Sequence, residues 1–199
     1  MKRSKLHRIA KSPYLLLPGI FAWLRGWWCR IVFFCQGKHF RAGPMLRVYG
    51  PFRLSGPGRV SFGRDCLVIS NAIKPVCIRT LDPDAEVTLG NHGGLNGTSI
   101  QCVHRVEIGD WSAIADAYIT DTAAHSLSRH RRLQETGEVT AAPVRIGRNV
   151  WISVQVVILH GVTIGENSVI GACSLLRSDV PANVFGAGNP FRVIKPIYD

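Results

Sequence analysis

Across its first 64 residues the chain has no Asp or Glu at all; the first carboxylate is Asp65. The same stretch carries thirteen Lys and Arg, whereas the remaining 135 residues hold 11 basic and 13 acidic groups. The net charge of +11 therefore belongs to the N-terminal third, and the rest is close to neutral. Such asymmetry points to a basic arm that meets a polyanion, either nucleic acid or an anionic membrane surface. Cysteine is present but unpatterned. Six residues, at 29, 35, 66, 77, 102 and 173, form no CxxC pair and no zinc-finger spacing. That excludes a disulfide framework or a zinc ribbon and favours reduced, mostly buried thiols in a cytoplasmic protein. No collagen-like period accompanies the 20 Gly and 11 Pro. A hydrophobic content of 46% excludes a wholly disordered chain, and 199 residues suit one domain with an appendage.

The arm, residues 1–40, is more than basic. Lys2, Arg3, Lys5, Arg8 and Lys11 precede an apolar stretch from Tyr14 to Cys35 that includes Phe21, Trp23, Leu24, Trp27, Trp28, Ile31, Phe33 and Phe34. Drawn as a helix, it leaves Ala22, Arg25, Gly26, Cys29 and Arg30 as a narrow polar-or-small stripe. Large apolar side chains beside a basic flank suit the headgroup region of a bilayer better than nucleic acid. Packing on the main domain or on a partner subunit is the competing reading. Arg25 and Arg30 interrupt the run and no small-x-small site follows, which argues against a secretory signal. Pro13, Pro18 and the short distance from Lys11 to Arg25 argue against a spanning helix.

The remainder is periodic. From Ile146 an aliphatic residue recurs every sixth position: Ile146, Ile152, Ile158, Ile164, Ile170 and Leu176. Four places after each stands a small or β-branched residue: Val150, Val156, Val162, Ser168, Ser174 and Val180. Ile108, Ile114 and Thr120 continue the spacing upstream, and Phe62-Gly63 and Leu89-Gly90 look like further turn starts. Six residues can form one short flat strand and a turn, so three hexads close a triangular coil whose aliphatic residues stack along the axis. The expected fold is mainly β, a parallel β-helix over residues 41–199. The register breaks once: Thr120 and Ile146 are 26 residues apart rather than 24. The polar segment between them, 121–143, is expected to be an extruded loop, and long loops in compact domains are often functional.

The order "IGDWSAIADAYITDTAAH", loop, "PVRIGRNVWI" and the closing "VPANVFGAGNPFRVIK" resembles the hexapeptide-repeat acyltransferases, in their maltose/galactoside and polysaccharide O-acetyltransferase branch. The resemblance implies a left-handed β-helix, acetyl-CoA as donor with no metal, a homotrimer with sites between neighbouring coils, and a sugar acceptor. That acceptor would be an envelope glycan or a lipid-linked precursor, for an enzyme in the cytoplasm or peripheral at the inner membrane. A His at the start of the loop is the family's general base, and here it matches His125. The resemblance also implies an oxyanion and acyl channel at Trp151, Ser153 and Val154, and CoA contacts at Ala172, Arg177, Arg192 and Lys195. Acceptor contacts fall on Asn96 and Asp121, the latter holding the sugar, orienting His125 or simply capping the loop. The family usually has Gly where this chain has Ser153, and Thr-Lys where it has Arg177-Ser178.

The chemistry explains the demand for these groups. Acyl transfer to a hydroxyl needs a base for the hydroxyl proton, which a neutral imidazole with pKa near ~6.5 supplies. The thioester carbonyl becomes an oxyanion, which needs positioned N–H donors. Two other classes fit parts of the sequence. His125 and His130 make an H-x4-H pair such as binds zinc in β-helical carbonic anhydrases, with His92 or His104 as third ligand; Arg129, Arg131 and Arg132 beside it disfavour a dication. A non-catalytic β-helix scaffold is the other.

Overall fold

A computed structural model describes residues 17–70, 74–126, 128 and 139–198. The basic run Lys2–Lys11 and the loop residues His130, Arg129, Arg131 and Arg132 lie outside them.

The hexads build the predicted solenoid. Ile146, Ile152, Ile158, Ile164, Ile170 and Leu176 are all at most 3% exposed, and the residues four places on are buried too. Successive strands lie on three faces, giving sheets of six, eight and six strands, parallel except for the last strand of the eight. On the first face Ile108 pairs with Ile146 and Ile146 with Ile164. On the second, Ile114 pairs with Ile152 and Ile152 with Ile170. Each buried aliphatic side chain contributes about 1.5–3 kcal/mol, against only the coils above and below it. Where the fourth offset is Ser, the hydroxyl ties coils together: Ser168 Oγ donates to the Pro181 carbonyl at 2.8 Å and Ser174 Oγ accepts the Gly188 N–H at 3.0 Å.

One register assignment is corrected. On the third face the residue paired with Ile158 is Ile119, not Thr120. The preceding corner is one residue short: Ala117 rather than a fourth-offset residue fills the inner angle, with Asp116 left-handed at φ 48°. Corners between the first and second faces are closed by left-handed residues too, among them Asn149, Asn167 and Asn183. Asn tolerates that conformation better than most side chains. Their amides form a ladder, Asn149 to Asn167 at 3.1 Å and Asn167 to Asn183 at 2.9 Å.

The N-terminal end is closed by a helix, α1 (Leu17–Cys35). Its small stripe faces inward. Ala22 and Gly26 are buried, and Phe33 enters an aromatic cluster with Phe40, Phe52 and Phe62. A Cβ at Gly26 would stand 2.2 Å from the Leu46 carbonyl oxygen, so only glycine allows the helix this close to the first coil. Arg25 and Arg30 donate to the Gly50 and Gly43 carbonyls of that coil. The first strand, His39–Ala42, follows directly. At the other end the strand Val184–Ala187 is covered by Arg192–Pro196, which runs antiparallel to it. Among the described residues no helix is long and apolar enough to cross a membrane.

Candidate functional site

The loop leaves the solenoid at a corner between the third and first faces. Its root is pinned on both sides: Ala123 N–H bonds the Thr140 carbonyl at 2.8 Å, Ala142 N–H the Asp121 carbonyl at 2.9 Å, and Gly161 N–H the Ala142 carbonyl at 2.9 Å. His125 stands just beyond this root and is exposed. The preceding Ala124 is left-handed at φ 65°, and its N–H bonds Thr122 Oγ1 at 3.0 Å. The imidazole is thus carried on a fixed base but turned outward from its own coil.

Of the three roles open to Asp121, the structure shows the cap. It is fully buried, and its carboxylate accepts the N–H groups of Val103, His104 and Arg105 at 2.7–2.8 Å and the Cys102 thiol at 3.4 Å. It closes the same corner one coil earlier, and its carboxylate is bonded there rather than to His125. Burial first, then the Asp121 charge, drives the Cys102 thiol far above its ordinary pKa.

The other expected residues fall into separate groups. Asn96, Ser153, Val154 and Ala172 line the corner between the second and third faces. Asn96 stacks on Ala115, Asp116 N–H bonds the Asn96 carbonyl at 2.6 Å, Gln155 N–H the Asp116 carbonyl at 3.1 Å, and Cys173 N–H the Val154 carbonyl at 3.0 Å. Three features suit this ladder to binding. Ser153 N–H is used by the Ile170 carbonyl, whereas the N–H groups of Val154 and Ala172 have no partner among the described residues. The buried Oδ1 of Asn96 also has none. An unpaired buried acceptor costs about 1–3 kcal/mol until a donor reaches it. Trp151 is exposed on the second face, between Ala113 and Val169 in neighbouring coils.

Arg177 and Arg192 come together. They share a groove of about 400 Å³ with His160, Ser178, Pro190 and Phe191. Lys195 does not line it. His160 escapes prediction from sequence, although the repeat register offers a signal: it stands two places after Ile158 and next to Gly161, whose N–H is bonded to the loop root. Of the candidate third zinc ligands, His92 is elsewhere, stacked on Trp111 with ring centres 3.9 Å apart and its Nδ1 3.1 Å from the Asp65 carboxylate, whereas His104 lies at the corner of the loop root, one coil earlier, its backbone N–H bonded to Asp121.

Within one chain, then, His125 and the Asn96–Ala172 ladder flank opposite edges of the third face. A strand of three or four residues spans on the order of 10 Å, too far for one substrate hydroxyl to touch both.

Comparisons with known proteins agree with this architecture. Residues 143–178 match the family model "Bacterial transferase hexapeptide (six repeats)". The galactoside O-acetyltransferase of Escherichia coli (strain K12) is 47% identical over 96 residues, 48% of this chain and 46% of the relative. The chain thus spans about half the length of that curated relative. A solved maltose O-acetyltransferase from Clostridium difficile 630 superposes with a TM-score of 0.57 at 33% identity, over 69% of this chain and 71% of that one. A galactoside acetyltransferase solved in complex with coenzyme A gives 0.55 at 32% identity, over 80% and 66%.

Proposed function

Because the chain belongs to the hexapeptide-repeat acetyltransferase family, we propose that it transfers an acetyl group from acetyl-CoA to a sugar hydroxyl. The acceptor class we assign is an envelope glycan or its lipid-linked precursor, such as those of lipopolysaccharide or exopolysaccharide synthesis. Dependence on acetyl-CoA sets the reaction in the cytoplasm. The observation that carries this reading is the pair of half-sites: an exposed His125 on a pinned loop root, and a corner ladder offering unpaired N–H groups and the unpaired Asn96 oxygen.

The reaction needs no enzyme-bound intermediate. The His125 imidazole takes the hydroxyl proton as the sugar oxygen attacks the thioester carbonyl. The carbonyl oxygen becomes an oxyanion, met by the Val154 N–H. The C–S bond then breaks, and the imidazolium returns its proton to the CoA thiolate. Asn96 Oδ1 accepts a hydrogen bond from an acceptor hydroxyl, the Ala172 N–H contacts the pantetheine arm, and Arg177 and Arg192 bind CoA phosphates, a task suited to guanidinium groups. Ser153 and Trp151 border the acyl channel by shape, and Lys195 is left with long-range attraction for the phosphates.

The separation of the half-sites supports a homotrimer in which His125 of one subunit meets the Asn96–Val154 corner of the next. A heterologous contact of this kind closes into a ring when the rotation is threefold. The function is tested by following thiol release from acetyl-CoA with a panel of envelope saccharides. His125→Ala should lower kcat by ~10²–10⁴ while acetyl-CoA binding persists. An unchanged rate removes His125 from the mechanism.

A further inference from the structure

The helix that closes the N-terminal end has its large side chains on the wrong side for a cap in water. Its small residues pack inward, and Leu17, Ile20, Phe21, Leu24, Trp27, Trp28, Ile31 and Phe34 point away from the coils. Of these, Phe21, Trp28 and Phe34 are 62%, 64% and 82% exposed. The only charges on α1, Arg25 and Arg30, are both turned to carbonyls of the first coil. The outer face is therefore a continuous uncharged apolar plate, of the kind that marks an interaction surface.

Its surroundings are mostly basic. Arg41 and Arg59 on the first face, Arg53 on the third and Arg64 at a corner are exposed and encircle the first two coils. A groove of about 630 Å³ beside the end of α1 is lined by Phe34, Lys38, Arg41 and Arg59, with Glu86 the one carboxylate. Five more basic residues, Lys2 to Lys11, precede the helix in sequence, and no acidic residue occurs before Asp65.

We propose that the outer face of α1 docks on an anionic lipid bilayer, with the apolar plate in the headgroup and acyl boundary and the basic collar against lipid phosphates. An apolar plate alone would fit a second protein as well. The predominantly basic collar around it matches an anionic sheet, whereas another copy of this chain would bring the same net positive charge against it. Trp and Arg together are the residues that tolerate that boundary. Docking would leave the solenoid axis pointing away from the membrane and its corners open.

The test is co-sedimentation of the full chain with vesicles of phosphatidylcholine alone or with phosphatidylglycerol added. At least about ten-fold more protein should bind the anionic vesicles, with release as salt is raised. The double variant Trp28→Gln, Phe34→Gln changes only outward side chains. It should lose about ten-fold in vesicle binding while keeping the wild-type melting temperature. The readout is independent of acetyl transfer, so it stands or falls apart from the proposed activity. Equal binding to both vesicle types, or unchanged binding by the double variant, overturns the proposal. So does a lipid-free association, seen by light scattering, that the double variant abolishes while neither protein binds vesicles; the occupant is then a second copy.

Discussion

The two ends of the solenoid solve the same packing problem differently. Between residues 144 and 176 the coils keep strict hexads, two- or three-residue strands and an interior of stacked Ile. Between residues 39 and 69 the strands vary in length, and the interior is filled by Phe40, Phe52 and Phe62 with Phe33 driven in from α1. A coil in the middle of a stack has both edges covered by copies of itself, so the cheapest repeating residue suffices. An end coil has nothing beyond it and requires a dedicated cover. The regular end carries the groove and the Val154 and Ala172 corners of the ladder, where small repeated corners expose backbone N–H groups. The irregular end carries the apolar plate with its basic collar. The proposed chemistry and the proposed attachment thereby fall at separate places on one solenoid.

The largest expected effect lies between the two ends. Asp121→Ala removes one buried carboxylate and strands three N–H groups, so it should cost about 3–5 kcal/mol and lower Tm by roughly 10 °C or more. A sugar-binding Asp121 would instead lower activity at unchanged Tm. Next comes Gly26→Leu, which forces α1 off the first coil. It should cost about 2–4 kcal/mol, and hydrogen exchange should rise in the first coils while residues 144–176 stay protected. Uniform loss of protection would mean that the ends are not separable.

Smaller effects probe the regular end. Arg177→Ala and Arg192→Ala should each raise the KM for acetyl-CoA by about ten-fold with kcat nearly kept, as expected for lost uniform binding to phosphate. A fall in kcat alone would remove them from the donor site. The smallest effect concerns thiols. Burial pushes the Cys66 thiol up to about 11 and Cys102 further, whereas Cys35 and Cys173 are exposed. Folded protein at pH 8 should react with a thiol reagent at Cys35 and Cys173 long before Cys66 and Cys102. Because the folded pKa of Cys66 is raised, the stability it contributes is fully present below the unfolded value of 9.0 and is lost as pH rises through about 11. Stability should fall across that window.

What the sequence discloses follows the same division. Ile146 to Leu176 are legible because every inward position must be aliphatic and every corner has the same length. The corner at Ala115–Ala117 is not, since Thr120 keeps the six-residue count while Ile119 takes the inward place. In α1 the usual rule inverts: the small stripe marks the buried face, because close approach to Leu46 matters more there than apolar area. Asp121 beside His125 invites a chemical role, yet its partners are backbone N–H groups one coil away, which carry no side-chain signature. The separation of His125 from the Asn96–Ala172 corner across the third face is equally invisible in one dimension.

That division can be tested by mixing subunits. His125→Ala and Asn96→Ala chains, each poorly active alone, should regain about one quarter of wild-type acetyl transfer when assembled together, the share of interfaces pairing two intact half-sites. Activity no higher than the average of the two parents would place both residues in one chain's site and contradict the account.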